Sequence, residues 1–305
     1  MLEQISKYFI KNNANYIFYE NYHYIMNKLL SFEYQKMKFE DSNNCILNLN
    51  DQSMYWWNDH IECIVKYTKR KSCKPLTNKE KLLLENTSNI VEMTHINNIT
   101  LDMLNFSGLS NASDQDWGTL KKYGESLIPR NEWNENQKNF YGFESDADYI
   151  YLIKELFESK YIKAARHHTW TGRYYFYNSN KSHRLAALYR QDSRQKRNTK
   201  INIALDECKL NSDCARIIYN NFFGIITTGK TYSFLMELLK HINITIILEE
   251  QNLCNDNIYI LWIDKVMDEL LLIIIKFIEI LPSDECYLIT NILKKYDYIH
   301  ANNNI

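Results

Sequence analysis

Arg173, Ser182, His183 and Arg184 lie in the stretch of this chain where side-chain chemistry and expected local structure point the same way. Arg173-Tyr174-Tyr175-Phe176-Tyr177 reads as a strand, Asn178-Ser179-Asn180-Lys181 as a tight polar turn, and Ser182 onward as a helix through Leu185, Ala186, Ala187 and Leu188. A helix start carries unpaired backbone N–H groups and the positive end of the macrodipole, so it attracts anions. His183 and Arg184 add two cation-capable side chains to it. Arg173 opens the preceding strand and brings a planar fork that can grip two phosphate oxygens at once. Ser182 supplies an N-cap oxygen. The expectation is a phosphate- or nucleotide-binding pocket built from Arg173, Ser182 and Arg184.

Proton transfer near neutral pH calls for histidine, and the candidates are His183 and His168. His167 and His168 are adjacent on an expected strand, so their side chains take opposite faces and only one can face such a pocket. Each residue also has a plainer reading. Ser182 serves as a cap without any ligand, Arg184 as half of a surface ion pair, and His183 as a solvated first-turn side chain. Trp170 at the turn covers the core edge in that reading or stacks on a base in the functional one. The basic run Arg190, Arg194, Lys196, Arg197 and Lys200, opposed only by Asp192, reads as a solvated helix end or as a contact for a polynucleotide backbone.

The segment 173–188 resembles the strand–turn–helix of the ParB/sulfiredoxin-like superfamily, whose members carry variants of D-G-x-H-R-x-x-A-A. His183 and Arg184 match the basic pair, and Ala186 and Ala187 match the small residues that seat the helix on its sheet. The resemblance implies nucleotide-phosphate binding at the turn and helix start, with phosphoryl transfer or phosphodiester hydrolysis as the activity. It covers about a tenth of the chain and departs from the pattern in two places. Asn180-Lys181 replaces Asp-Gly, and Ser182 stands where sulfiredoxins carry a reactive cysteine, so their reductase chemistry is not expected. The helix-turn-helix and Glu-Asn-x-x-Arg box of partition proteins are also missing. No cofactor is identified; a nucleotide, accompanied by Mg2+, is what the resemblance allows.

Gly224, Gly229, Lys230 and Thr231 satisfy G-x-x-x-x-G-K-[ST] to the letter, with Asp264 as a weak metal partner. A P-loop NTPase is therefore an alternative. Chance agreement is the preferred explanation, because 220–223 makes a poor buried strand. A third alternative, from another class, is a non-catalytic interaction protein of a mobile element, defence system or secreted effector. Seven cysteines, scattered and odd in number, form no Cys/His cluster with metal spacing and read as buried thiols of a reducing compartment.

Positioning these groups requires a folded scaffold, and the composition supports one. The 305 residues are 45% hydrophobic and 24% charged, with a formal net charge of -1, which excludes both disorder and a global field drawing the chain to nucleic acid or anionic membrane. Gly172 marks a hairpin turn between strands at 163–168 and 173–177. Further strands are expected at 45–49, 201–205, 244–248 and 258–262. Helices are expected at 16–26, after a Thr77/Glu80 capping box, after Ser145, at 213–219 behind Ser212, and from 231.

The apolar run 270–281 is broken by Lys276 and Glu279, so it is a core helix and not a membrane span. Residues 1–7 lack a secretion signal's pattern, giving an expectation of a cytoplasmic protein with non-classical secretion left open. The fold class is α+β: a central ParB/sulfiredoxin-like mixed sheet at 111–230, an N-terminal mixed region at 1–110 and a largely helical region at 231–305.

Overall fold

The computed structural model describes residues 16–38, 54–56, 59–68, 75–110, 118–129, 141–142, 150, 153–154, 156, 164–177, 182–253, 258–266, 269–281 and 286–303. The expected strand at 45–49, the Ser145 helix start and the turn at 178–181 lie outside these residues.

Along the chain run helix α1 (Tyr16–Lys38), α2 (His60–Tyr67), α3 (Asn78–Ser88), strand β1 (Val91–Asp102), β2 (Phe106–Leu109), α4 (Leu120–Ser126), β3 (Ile128–Pro129) and β4 (Tyr141–Gly142). There follow β5 (Ala164–His168), β6 (Arg173–Phe176), α5 (Ser182–Gln195), β7 (Lys200–Leu210), α6 (Ser212–Asn221), β8 (Phe222–Thr228) and α7 (Gly229–His241). Last come β9 (Ile246–Leu253), β10 (Ile258–Asp264), α8 (Glu269–Ile280), β11 (Cys286–Leu288) and α9 (Ile289–Asn303). The fold is α+β, with sheets of mixed direction.

Two compact units divide the chain, each from non-contiguous segments. The first takes Met1–Leu47, Tyr67–Thr87 and Asp213–Lys295; the second takes Asn48–Lys66, Ser88–Ser212 and Tyr296–Ile305. Boundaries drawn near 110 and 230 from composition both fall inside a unit. Ser88–Ser212 runs unbroken in the second unit and Asp213–Lys295 in the first, so the chain passes from one unit to the other near 212.

In the first unit the sheet order is β11-β8-β10-β9, and its described pairings are antiparallel. Strand β8 is buried at every position. Around it Ile225, Leu235, Leu238, Leu261, Ile263, Ile274 and Phe277 pack with Ile25 and Leu29 of α1 into one apolar core. The helix from 78 begins as its sequence dictates: Glu80 N–H donates to Thr77 Oγ1 and Thr77 N–H to Glu80 Oε2, a reciprocal capping box.

In the second unit the order is β1-β7-β5-β6-β2. Strands β5 and β6 form the expected hairpin, closing at His168 opposite Arg173. Gly172 adopts φ +69 in the turn, a conformation that costs a residue with a Cβ. One face of this sheet is apolar. Ala165, Phe176, Ile201, Ile203 and Leu205 meet Leu185, Ala186, Ala187 and Leu188 of α5, and Leu120 and Tyr123 of α4. The alternation of side chains along each strand sends Arg166, His168, Tyr175, Asp206 and Cys208 to the other face, where α2 lies.

Candidate functional site

The face of the five-stranded sheet opposite α5 holds a buried cluster of ionisable groups, and its first member is set by local sequence. Asp59 precedes α2 and accepts from the Ile61 N–H at 2.9 Å, as a helix N-cap does. The same carboxylate takes the Trp170 indole N–H at 3.0 Å and lies 3.5 Å from His168 Nδ1. Glu62, one turn further along α2, lies 3.1 Å from His168 Nε2 and pairs with the Arg166 guanidinium.

His168 is 0% exposed and stacks on the Trp170 ring at 4.5 Å. It is thus held edge-on between two carboxylates and face-on against an indole. Trp56 closes the side, with the Arg166 guanidinium 5.5 Å from its ring.

Charge balance decides how such a cluster survives burial. The two carboxylates on either side of the His168 ring favour its charged form over the neutral one. Burial alone would push the imidazole down, but Asp59 and Glu62 outweigh that and raise its pKa above the ordinary value. Burial likewise disfavours the Asp59 carboxylate, yet His168 and the Trp170 N–H hold its pKa below the usual range. Around the cluster, burial pushes the Cys208 thiol up to about 12 and the Tyr175 hydroxyl higher still. Both stay protonated and chemically quiet, and Cys208 is no nucleophile.

The residues expected to form one pocket are distributed over this sheet in three places. His168 sits on the α2 face, across the sheet from α5, and is closed to solvent, so it cannot serve protons at the α5 amino end. Arg173 opens β6 beside the hairpin turn, its guanidinium 5.9 Å from the Tyr175 ring. Ser182 follows the other end of β6, and three residue steps along a strand already separate those ends by about 10 Å. Arg173 therefore does not join Ser182, His183 and Arg184.

Those three do stay together in the first turn of α5. Ser182 is buried, with its Oγ 3.4 Å from the Tyr123 hydroxyl, and His183 and Arg184 are half-buried. Ala186 and Ala187 are fully buried beneath them. His167, on the α5 face, stacks on Tyr174 at 4.1 Å near the hairpin turn.

The basic run that ends α5 and follows it also needs correction. Arg190 is turned inward, its Nη1 donating to Leu127 O at 3.0 Å, and Asp192 is buried, accepting from the Thr199 N–H and hydroxyl at 3.0 Å. Arg194 and Lys196 remain exposed and Arg197 half-buried.

The P-loop pattern fails on its backbone. Gly224 is mid-strand opposite Trp262, and β8 is hydrogen-bonded to β10 on one side and β11 on the other, so its amides cannot cradle a phosphate. A Cβ at Gly224 would come within 2.5 Å of the Trp262 ring, which is the physical reason for glycine there. Helix α7 follows β8 without a loop, Thr231 is buried, and Asp264 accepts from Lys79 Nζ at 2.8 Å. The Lys230 side chain lies outside the described residues. The expectation that 220–223 makes a poor buried strand fails too, since Phe222 and Phe223 are buried in β8.

Sequence reasoning passed over Asp59 and Glu62, although Asp59-His60-Ile61-Glu62 has the D-x-x-E spacing of a helix start. Among the described residues no group of three or more His, Cys, Asp or Glu side chains is placed to hold a metal ion. Among them, too, no helix is long and apolar enough to cross a membrane. Residues 96–276 match a family of unknown function, DUF6685, and with more than half of its length matched the chain belongs to that family. No curated protein and no solved structure matches it.

Proposed function

We propose that this DUF6685 protein binds a phosphate-bearing small molecule, a nucleotide by class, at the amino end of α5, in the manner of the ParB/sulfiredoxin-like proteins it resembles. The observation that carries the reading is the retention of Ser182, His183 and Arg184 on one first turn, directly after β6. The full burial of Ala186 and Ala187 fits the close helix seating that the resemblance implies. Orphan N–H groups at a helix start and a half-buried guanidinium together suit a dianionic oxygen cluster. Any phosphoryl transfer or phosphodiester hydrolysis would rely on His183 alone for protons, with Mg2+ arriving on the nucleotide.

Arg194, Lys196 and Arg197 extend this reading to a nucleic-acid backbone, without the inward-facing Arg190. The cytoplasm is the compartment we assign, in keeping with the buried thiols Cys63, Cys208 and Cys286.

Thermal shift with ATP, CTP and inorganic phosphate, with and without Mg2+, tests the reading. A ligand at a hundredfold its Kd adds about 2.7 kcal/mol to wild-type stability. Arg184→Ala should abolish the shift, Arg184→Lys should weaken it, and Arg173→Ala should leave it intact. A shift that survives Arg184→Ala moves the ligand elsewhere. No wild-type shift removes the reading and leaves a non-catalytic interaction protein.

A further inference from the structure

The face that buries the ion cluster is closed by α2 at one end and open at the other. Pairing across the strands puts His95, Asp206, Arg166 and Tyr175 in one row. In the next row Ala204 pairs with Ala164, and the Tyr177 N–H donates to Ala164 O at 3.1 Å. Two alanines side by side on central strands make a low floor between longer polar neighbours. Both remain partly exposed, although strands β5 and β7 are flanked on each side.

The edge strand breaks register at the same row. Ile96 faces Leu205 and Ile99 faces Ile203, so Asn97 and Asn98 share the single Ala204. Bulges of this kind re-aim side chains and are over-represented beside active sites.

His95 stands at the rim of the floor, 55% exposed, with Nδ1 2.8 Å from Oδ1 of Asp206, itself 18% exposed. An imidazole that gives its Nδ1 proton to a carboxylate is fixed in one tautomer, with the Nε2 lone pair directed away from the partner. Burial pushes the nearby Tyr177 hydroxyl up to about 12, with Arg166 opposing the shift and the Asp206 carboxylate adding to it. Trp56 packs its ring edge-on to Tyr177 at 4.6 Å. Arg166, the cation of this row, is neutralised by Glu62. Among the described residues of these two rows the floor therefore offers an oriented base and hydrogen-bonding groups, with its one cation, Arg166, already paired, which suits an uncharged substrate better than a phosphate.

We propose that His95 is a catalytic general base and Asp206 its positioning residue, in a hydrolytic site for small uncharged carboxylic esters over Ala164 and Ala204. A water oxygen bonds to the ester carbonyl carbon as one water proton passes to His95 Nε2. The carbonyl π electrons move to oxygen. Collapse of the tetrahedral species re-forms the carbonyl, breaks the bond to the alkoxy group and returns the proton from Nε2 to the leaving alcohol. Histidine and enzyme end unchanged, and acid and alcohol are the products. The site is independent of the α5 end and of the other face of the sheet.

The full-length protein assayed with p-nitrophenyl acetate tests this assignment. A positioned general base contributes about 100-fold or more, so His95→Gln should lower the rate at least about tenfold while the melting temperature falls by no more than a few degrees. Asp206→Asn should do nearly the same, and His241→Gln, an exposed histidine in the other unit, should match wild type. Nitrogen NMR of the imidazole gives a readout that does not depend on turnover or substrate choice. His95 should carry its proton on Nδ1 in wild type and move it to Nε2 in Asp206→Asn. Equal rates in wild type and His95→Gln would overturn the proposal, as would a wild-type His95 protonated on Nε2.

Discussion

The two larger sheets among the described residues bury different things. Around β8 of the four-stranded sheet the interior is Ile, Leu, Phe and Trp262, and the ion pairs described there, Lys28–Glu237, Lys79–Asp264 and Lys276–Glu279, lie at the surface. The five-stranded sheet keeps one apolar face of that kind and gives the other to Asp59, Glu62, Arg166 and His168. Apolar burial is non-directional and tolerates many solutions, whereas a buried ion must find its partners or leave the fold. The contrast separates a unit whose residues are explained by packing from one whose residues are placed for charge.

Removing one member of the cluster is the harshest way to break this comparison. Glu62→Ala leaves Arg166 and His168 without their shared partner in a closed interior, and such losses cost about 3–5 kcal/mol. Urea unfolding should show a loss of that size, and hydrogen exchange should place it in β5 and β7 and not in β8. A loss under about 1 kcal/mol would mean that water reaches the cluster and that the two units are alike.

The pH dependence follows from the direction of the two shifts. His168 is faced by Asp59 and Glu62 from the α2 segment, Arg166 on its own strand, Arg173 and Tyr175 on β6, and Cys208 on β7. Its pKa is raised, so its contribution is complete below the ordinary imidazole value of 6.5 and is lost as pH rises through the folded-state value. Asp59 is lowered, so its contribution is complete above 3.8 and is lost as pH falls through its depressed value. Exchange protection of β5 should peak between those limits and fall in alkali, while β8 protection stays flat. His168→Gln should remove the alkaline fall; an alkaline fall unchanged in that variant would assign it to another group.

The packing unit has its own sharp test. Gly224→Ala drives a methyl into the Trp262 ring and Ile289, an overpacking worth about 1–3 kcal/mol. Trp262 is fully buried, with its indole N–H on Thr68 Oγ1 at 3.2 Å, so the ring has little room to retreat. Tryptophan fluorescence on denaturation should report the loss. A neutral substitution would reopen the question of why glycine stands there.

Local signals were the legible part of this sequence. The Thr77/Glu80 box, the Gly172 turn, the α5 start at Ser182 and the apolar α8 are each written within a few residues, and each forms where the residues place it. The cluster was not legible, because its halves are far apart: Glu62 meets Arg166 across 104 positions and Asp59 meets Trp170 across 111. Besides the D-x-x-E spacing at Asp59 and Glu62, the strand Ala164-Ala165-Arg166-His167-His168 hinted at it, with charge at alternate positions where a central strand is often apolar. The phosphate-loop pattern shows the reverse case, since the right letters sit in a strand whose glycine makes room for an indole.

The smallest effect expected is at His95, and its smallness is informative. Its pairing with Asp206, at 2.8 Å, is shorter than either approach of His168 to a carboxylate, yet it lies on the open end of the same face, where water screens the charges and the side chain is 55% exposed. Exposed pairs contribute about 0.2–1 kcal/mol, so His95→Gln should fall within that range in the unfolding assay that registers Glu62→Ala severalfold higher. A larger loss would make His95 part of the structural cluster and take away its reason to stand at the rim. A loss in the expected range leaves a histidine oriented by Asp206 at negligible benefit to the fold, and the orientation then calls for a chemical explanation.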